Sequence, residues 1–365
     1  MLNQQFTRRQ VLGSLAGTSA AVAWGASLPA VHAAETDKPV AFALVSDTHY
    51  LANKESPGEL FADSAAVTSQ LISTLNALPG KAITAEAGGG MVAALHGVIH
   101  AGDLIDTGDK SGGAHEKMQA TEFAAFEHDF GLNGSDGKLK FPCYEVHGNH
   151  DAPRGTGLVL DGIKARNQKR PGLKNLSANG LHYSWDWGPA DHQVHFINLG
   201  IVVGSSQDKE NPRRYNPLDS LEFLQDDLQK NVGDSGRPVV ITHHVDVQRY
   251  STPCDADPKN SAKEWHPCDA RGFHAALAKY NVIAILYGHT HSRSVLKWNG
   301  TQTRTEQGLD LFNVDNGAHF RSDTQAFFYF EVTPSKLTVR ELATTDRWQT
   351  ANWTPQVWTR ELKKA

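Results

Sequence analysis

Short apolar, β-branched runs recur along the chain, separated by polar stretches or by apolar residues at helical spacing. Residues 40–46 (VAFALVS), 97–101, 141–146, 194–199, 238–242 and 282–287 are largely apolar and of strand length. Runs apolar on both faces belong to strands covered on both sides. Leu221, Leu224 and Leu228 are spaced for one face of a helix opened by Asp219. Phe273, Leu277 and Tyr280 predict another helix, leading into the 282–287 run. Residues 326–332 and 336–342, around Thr333, Pro334 and Ser335, predict a β-hairpin edging a second sheet. Segments 51–57, 107–136, 155–180 and 205–217 are polar and contain Gly or Pro, as surface loops around one face would. Strands alternating with helices predict a layered α/β domain.

The first residues follow a different pattern. Arg8 and Arg9 in TRRQVL precede a weakly apolar Ala/Gly/Ser stretch that ends in a small-residue site at Ala33. This resembles a bacterial twin-arginine (Tat) export signal, with cleavage expected after Ala33. The alternative is an uncleaved anchor, for which residues 11–31 are just long enough. Residues 34–365 then form a single domain, delivered by the Tat machinery to the periplasm or the exterior, with no stable membrane span after cleavage.

Composition narrows the function. Losing residues 1–33 removes Arg8 and Arg9 and no acidic residue, moving the net charge from −5 to −7. No basic field is left to grip nucleic acid. Of three cysteines, Cys143 lies in an apolar run and reads as a buried apolar residue. Cys254 and Cys268 bracket a polar loop containing Pro. In an oxidising compartment they either pair, stabilising by roughly 3 kcal/mol, or stay unlinked.

The candidate chemistry lies at the strand ends. Asp47 and His49 follow the first run, and Gly102, Asp103 and Asp106 the second. Gly148, Asn149, His150 and Asp151 follow the third, His243 and His244 the 238–242 run, and Gly288, His289 and His291 the last. In an open α/β sheet these ends share one crevice, so distant residues converge there. Carboxylate oxygen and imidazole nitrogen together suit Zn, Mn or Fe.

This ordered set, Asp-x-His, Gly-Asp-x-x-Asp, Gly-Asn-His-Asp, a later His and Gly-His-x-His, resembles the calcineurin-like metallophosphoesterases from Asp47 to His291. The resemblance implies a four-layer αββα sandwich of two mixed β-sheets flanked by helices. It implies hydrolysis of small-molecule phosphate mono- or diesters, through a hydroxide that two metal ions make available. It assigns Asp47, His49 and His291 to the first metal, Asn149, His243 and His289 to the second, and Asp103 to both. His150 would contact phosphate and protonate the leaving oxygen, with Asp151 orienting it. Arg154 is a weaker candidate for phosphate, and Arg213, Arg214 and Tyr250 weaker still. His100 and His147 read as packed, and alternation is expected to turn His244 away from the site. Asp106 stands where purple acid phosphatases carry a tyrosine ligand, which argues against that branch. A nuclease on the same fold, or a metal-binding protein without catalysis, is the alternative reading.

Overall fold

The computed structural model describes residues 38–205, 212–255 and 257–362. The export signal lies outside them. All six apolar runs form strands: β1 (Val40–Val45), β2 (Gly97–His100), β3 (Cys143–Glu145), β6 (Val194–Asn198), β7 (Val239–Thr242) and β8 (Val282–Tyr287). One sheet has the order β13-β12-β11-β1-β2-β3, with β11 Gln325–Val332, β12 Lys336–Thr344 and β13 Asn352–Glu361. The other runs β4-β5-β6-β7-β8-β10-β9, where β4 is Leu173–Leu176, β5 Tyr183–Trp187, β9 Ser294–Trp298 and β10 Leu309–Asn313. Strands β1, β2 and β3 are parallel to one another, as are β6, β7, β8 and β10. Their carboxyl ends therefore share one edge, and that edge carries the motifs.

Alternation along the strands sorts the core into layers. In β1, Val40, Phe42 and Leu44 face a middle layer with Phe196, Val240, Phe328 and Phe330, where Phe42 stacks on Phe330 with centroids 4.7 Å apart. Ala41, Ala43 and Val45 face outward onto α1 (Ala62–Asn76), α2 (His115–Asp129) and α3 (Leu158–Lys169). The small alanines let those helices approach closely. In β7 the outward residues are Val239 and Ile241, packed on α4 (Ser220–Asp227) and α5 (Pro267–Leu277). Each fully buried large apolar side chain contributes about 1.5–3 kcal/mol. The result is the expected arrangement of two mixed sheets between helices. Among the described residues no helix is long and apolar enough to cross a membrane.

Three expectations need correction. The 326–342 hairpin does not edge a second sheet. It joins the first, where β11 pairs directly with β1 and the unforeseen β13 closes the edge. Segment 107–136 contains α2, whose polar sequence hides a structural carboxylate: buried Glu122 accepts the backbone N–H of Ala52 and of Thr107. Segment 155–180 contains α3 and β4.

Helix α3 is fastened by charge as well as by packing. Glu145 of β3 accepts from Arg166 Nε at 2.7 Å and from Arg170 at 2.8 Å, with all three residues buried. Burial opposes the Glu145 charge, but the two guanidinium groups outweigh it and hold its carboxyl down to about 2. A depressed carboxylate contributes stability above its unfolded value near 4.5, and that contribution is lost as pH falls toward 2. Glu145→Gln leaves two buried cations without a counter-charge, so urea unfolding at neutral pH should show a loss of about 3–5 kcal/mol. The variant should also lose less stability than the parent between pH 4.5 and 2.

Cys254 and Cys268 are joined as a disulfide with Cα atoms 4.6 Å apart, and Cys143 is a buried free thiol. Cys268 lies in the first turn of α5, which starts at Pro267 with the His266 ring accepting the Cys268 N–H. Proline suits that first position because its missing N–H has no helical partner there.

Candidate metal centre

The strand-end turns are drawn together by backbone hydrogen bonds. Asp47 N–H donates to Gly102 O at 2.9 Å, His49 N–H to Asp103 O at 3.1 Å, and Gly288 N–H to His244 O at 3.1 Å. Asp47, His49, Asp103, His289 and His291 all have φ between 45° and 74°. That left-handed region is costly for residues with a Cβ, and such strain gathers where surrounding structure holds a site in place. Gly148 and Gly288 meet this crowding differently. A Cβ on Gly148 would lie 2.2 Å from Asp103 Oδ1, and one on Gly288 would lie 2.4 Å from Asp47 Oδ2.

Among the described residues four overlapping groups of donor atoms result: one of His49, His291 and His319, one of His49, Asp106 and His150, and two that share the Asp103 carboxylate. Asp47, His49, Asp103 and His291 form the first. His49 Nε2 is 3.0 Å from His291 Nε2 and 3.6 Å from Asp103 Oδ2, and His291 Nε2 is 3.2 Å from Asp47 Oδ1. Asp103, His244 and His289 form the second. His244 Nε2 lies 3.2 Å from Asp103 Oδ2 and 3.1 Å from Asn149 Oδ1. Asp47, His49 and Asp103 are buried, whereas the His291 and His150 side chains are each about one-third exposed (34% and 33%), so the crevice opens on that side.

The second cluster corrects the assignment of His243. Its side chain leaves the crevice and packs on Trp265, Phe273 and Tyr287, the last stacked with centroids 5.6 Å apart. Strand parity is the reason. His243 continues the outward series Val239 and Ile241, so the next residue, His244, points inward. Burial among apolar rings lowers His243 to about 3 and keeps it neutral. Its neighbour behaves in the opposite way: burial opposes charge on His244 too, but the Asp103 carboxylate raises it to about 9.

Asp151 also departs from expectation. It does not touch the His150 ring; its carboxylate accepts backbone N–H groups from Leu104, Ile105 and Gly148 at 2.6–3.1 Å. It ties the Asp103 turn to the Asn149 turn. The His150 ring instead has Nδ1 3.1 Å from Asp106 O, and His150 N–H donates to Asp103 Oδ1 at 2.8 Å. Arg154 is exposed and makes no ion pair among the described residues. Arg213 is committed to Asp269 through two bonds of 2.9 Å. His100 and His147 are buried, and His100 Nε2 bonds the Thr48 hydroxyl.

Three further residues reach the site. Asp106 Oδ1 is 3.3 Å from His49 Nδ1, a carboxylate on the ring nitrogen opposite the cluster. Its place in Gly-Asp-x-x-Asp could have signalled that role. His319, on the loop before β11, packs against His49 and His291 with centroids 4.7 and 4.8 Å away. Glu264, inside the disulfide-closed loop, reaches His289. Neither His319 nor Glu264 sits in a recognisable motif.

The donors fit divalent metals. Burial works against the charges of Asp47 and Asp103, yet both carboxyls lie below the usual range because His49, His291 and His244 surround them. The same carboxylates, with Asp106, raise His49 to about 10 against the cost of its burial. Buried carboxylates that pull protons onto adjacent imidazoles make a field that favours cations. Oxygen and imidazole donors together form a set that binds metal ions.

Residues 40–293 match the calcineurin-like phosphoesterase family. The chain belongs to that family. It is a metal-dependent phosphoester hydrolase, and Asp47, His49, Asp103, His244, His289 and His291 all lie within the matched span. No curated protein sequence matches it. Similar solved structures include a dimetal phosphatase from Danio rerio, 14% identical with a TM-score of 0.46, covering 90% of this chain and all of that one. A purple acid phosphatase from yellow lupin (Lupinus luteus) seeds is 10% identical with a TM-score of 0.49, covering 88% of this chain and 54% of that one.

Proposed function

We propose that this phosphoesterase is exported and hydrolyses small phosphate mono- or diesters with two metal ions. The observation that carries the reading is the pair of donor clusters sharing Asp103. Asp47, His49 and His291 would hold one ion, and Asn149, His244 and His289 the other, with Asp103 common to both. Two such ions, when bound, polarise phosphoryl oxygens and supply a nucleophile at neutral pH. The chain's own part is positional. The Asp106 carbonyl fixes His150 through Nδ1 at 3.1 Å, leaving Nε2 to meet a phosphoryl oxygen or to give a proton to the departing oxygen. Asp151 holds the two turns that carry Asp103 and Asn149 in register. Export rests on Arg8, Arg9 and the small-residue site at Ala33.

The test is hydrolysis of an aryl phosphate monoester and an aryl phosphate diester by the exported fraction and by purified protein reconstituted with Mn, Zn, Fe or Co. Turnover of at least one ester that chelation abolishes is expected. Folded, metal-loaded protein that hydrolyses neither ester would refute the reading.

A further inference from the structure

The loop closed by Cys254 and Cys268 is anchored beside the metal centre. Trp265, fully buried, donates its indole N–H to Val245 O at 2.8 Å, next to His244. The preceding residue, Glu264, is thereby held against the ring of His289. Its Oε1 lies 3.2 Å from His289 Nε2, and Oε2 accepts the Tyr250 hydroxyl at 2.6 Å. Arg249 is 3.4 Å from the same carboxylate. The Glu264 side chain is 12% exposed, so it is a placed group with several partners rather than a solvated loop acid.

A carboxylate on one nitrogen of an imidazole fixes the tautomer. With the proton on Nε2 and donated to Glu264, the lone pair of His289 sits on Nδ1. Such partners orient a ligating ring and raise its basicity, and their loss typically lowers metal affinity 10–100-fold. The first cluster has a related arrangement, in which the Asp106 carboxylate lies 3.3 Å from Nδ1 of His49 while Nε2 faces Asp47, Asp103 and His291. Each cluster thus has a histidine approached at a ring nitrogen by a carboxylate from outside that cluster, Asp106 from a motif in one and Glu264 from a loop outside the motifs in the other.

We infer that Glu264 is a positioning residue that orients His289 for the second metal ion, and that the disulfide-closed loop presents it. This rests on the two-metal reading above. The test is a cobalt(II) titration of metal-free full-length protein, followed by its visible absorption bands and by competition with a chromophoric chelator, for the parent, Glu264→Ala and Glu264→Gln. The parent should bind two ions. Both variants should bind the second about 10–100-fold more weakly, with altered bands for that site and unchanged affinity for the first. Tyr250→Phe, which keeps the carboxylate, should bind both ions nearly as the parent does. Variants that bind two ions with the parent's affinity and spectrum would overturn the inference alone. Equal weakening of both ions with a lowered melting temperature would also overturn it, since that marks a general structural role. A parent that binds fewer than two ions would overturn the two-metal reading and this inference with it.

Discussion

Asp103→Asn is expected to remove nearly all phosphoesterase activity, by at least ~10³-fold, which corresponds to about 4 kcal/mol at the transition state. Asp103 joins the group of Asp47, His49 and His291 to that of His244 and His289, facing His49 at 3.6 Å and His244 at 3.2 Å. In the two-metal reading Asp103 would help hold both ions, and its negative charge would offset their mutual repulsion. Asparagine keeps the oxygen that accepts the His150 N–H, so the turn should survive while the charge is lost. Metal content by elemental analysis should fall well below the parent's. The metal-free variant should also melt somewhat below the metal-free parent at neutral pH, because the Asp103 carboxyl is held below its usual range, against its burial, by His244 and His49 and that contribution is lost with the charge. Ordinary turnover in the purified variant would sink the assignment of the centre.

The middle of the fold was legible for a physical reason: strands covered on both faces must be apolar throughout, and six such runs became six strands. Strands without such a run, β13 among them, were not. β13 is half-exposed and reads TPQVWTRE over most of its length, with no run of apolar residues, and its place is set by pairing with β12. Helix α2 was hidden because its buried face includes Glu122, which works by accepting backbone N–H groups rather than by hydrophobicity. The donor set was legible wherever a short motif fixed the local turn. Contacts made across the fold, such as His319 with His49 or Glu264 with His289, join residues that no local spacing relates.

The pair His243 and His244 marks the boundary of what pattern can settle. Alternation correctly requires adjacent strand residues to point oppositely, but it does not say which of them faces the crevice. The answer comes from the neighbours: β7 puts Val239 and Ile241 on the helix layer and Val240 in the middle layer, so His243 follows the first series. Opposite outcomes are therefore expected at adjacent positions. His244→Ala removes the ring beside Asp103 and Asn149, and should abolish binding of the second ion and lower kcat at least ~10²-fold, about 2.7 kcal/mol. His243→Phe replaces a neutral ring, both of whose nitrogens lack hydrogen-bond partners, with another ring among Trp265, Phe273 and Tyr287. A near-isosteric core exchange of this kind usually costs less than ~1.5 kcal/mol, so this variant should keep both ions and activity within a few-fold of the parent. Metal content and kcat measured side by side decide the matter. If His243→Phe lost the second ion while His244→Ala kept it, strand parity would be wrong at the mouth of β7, and the second cluster would have to be rebuilt around the other ring.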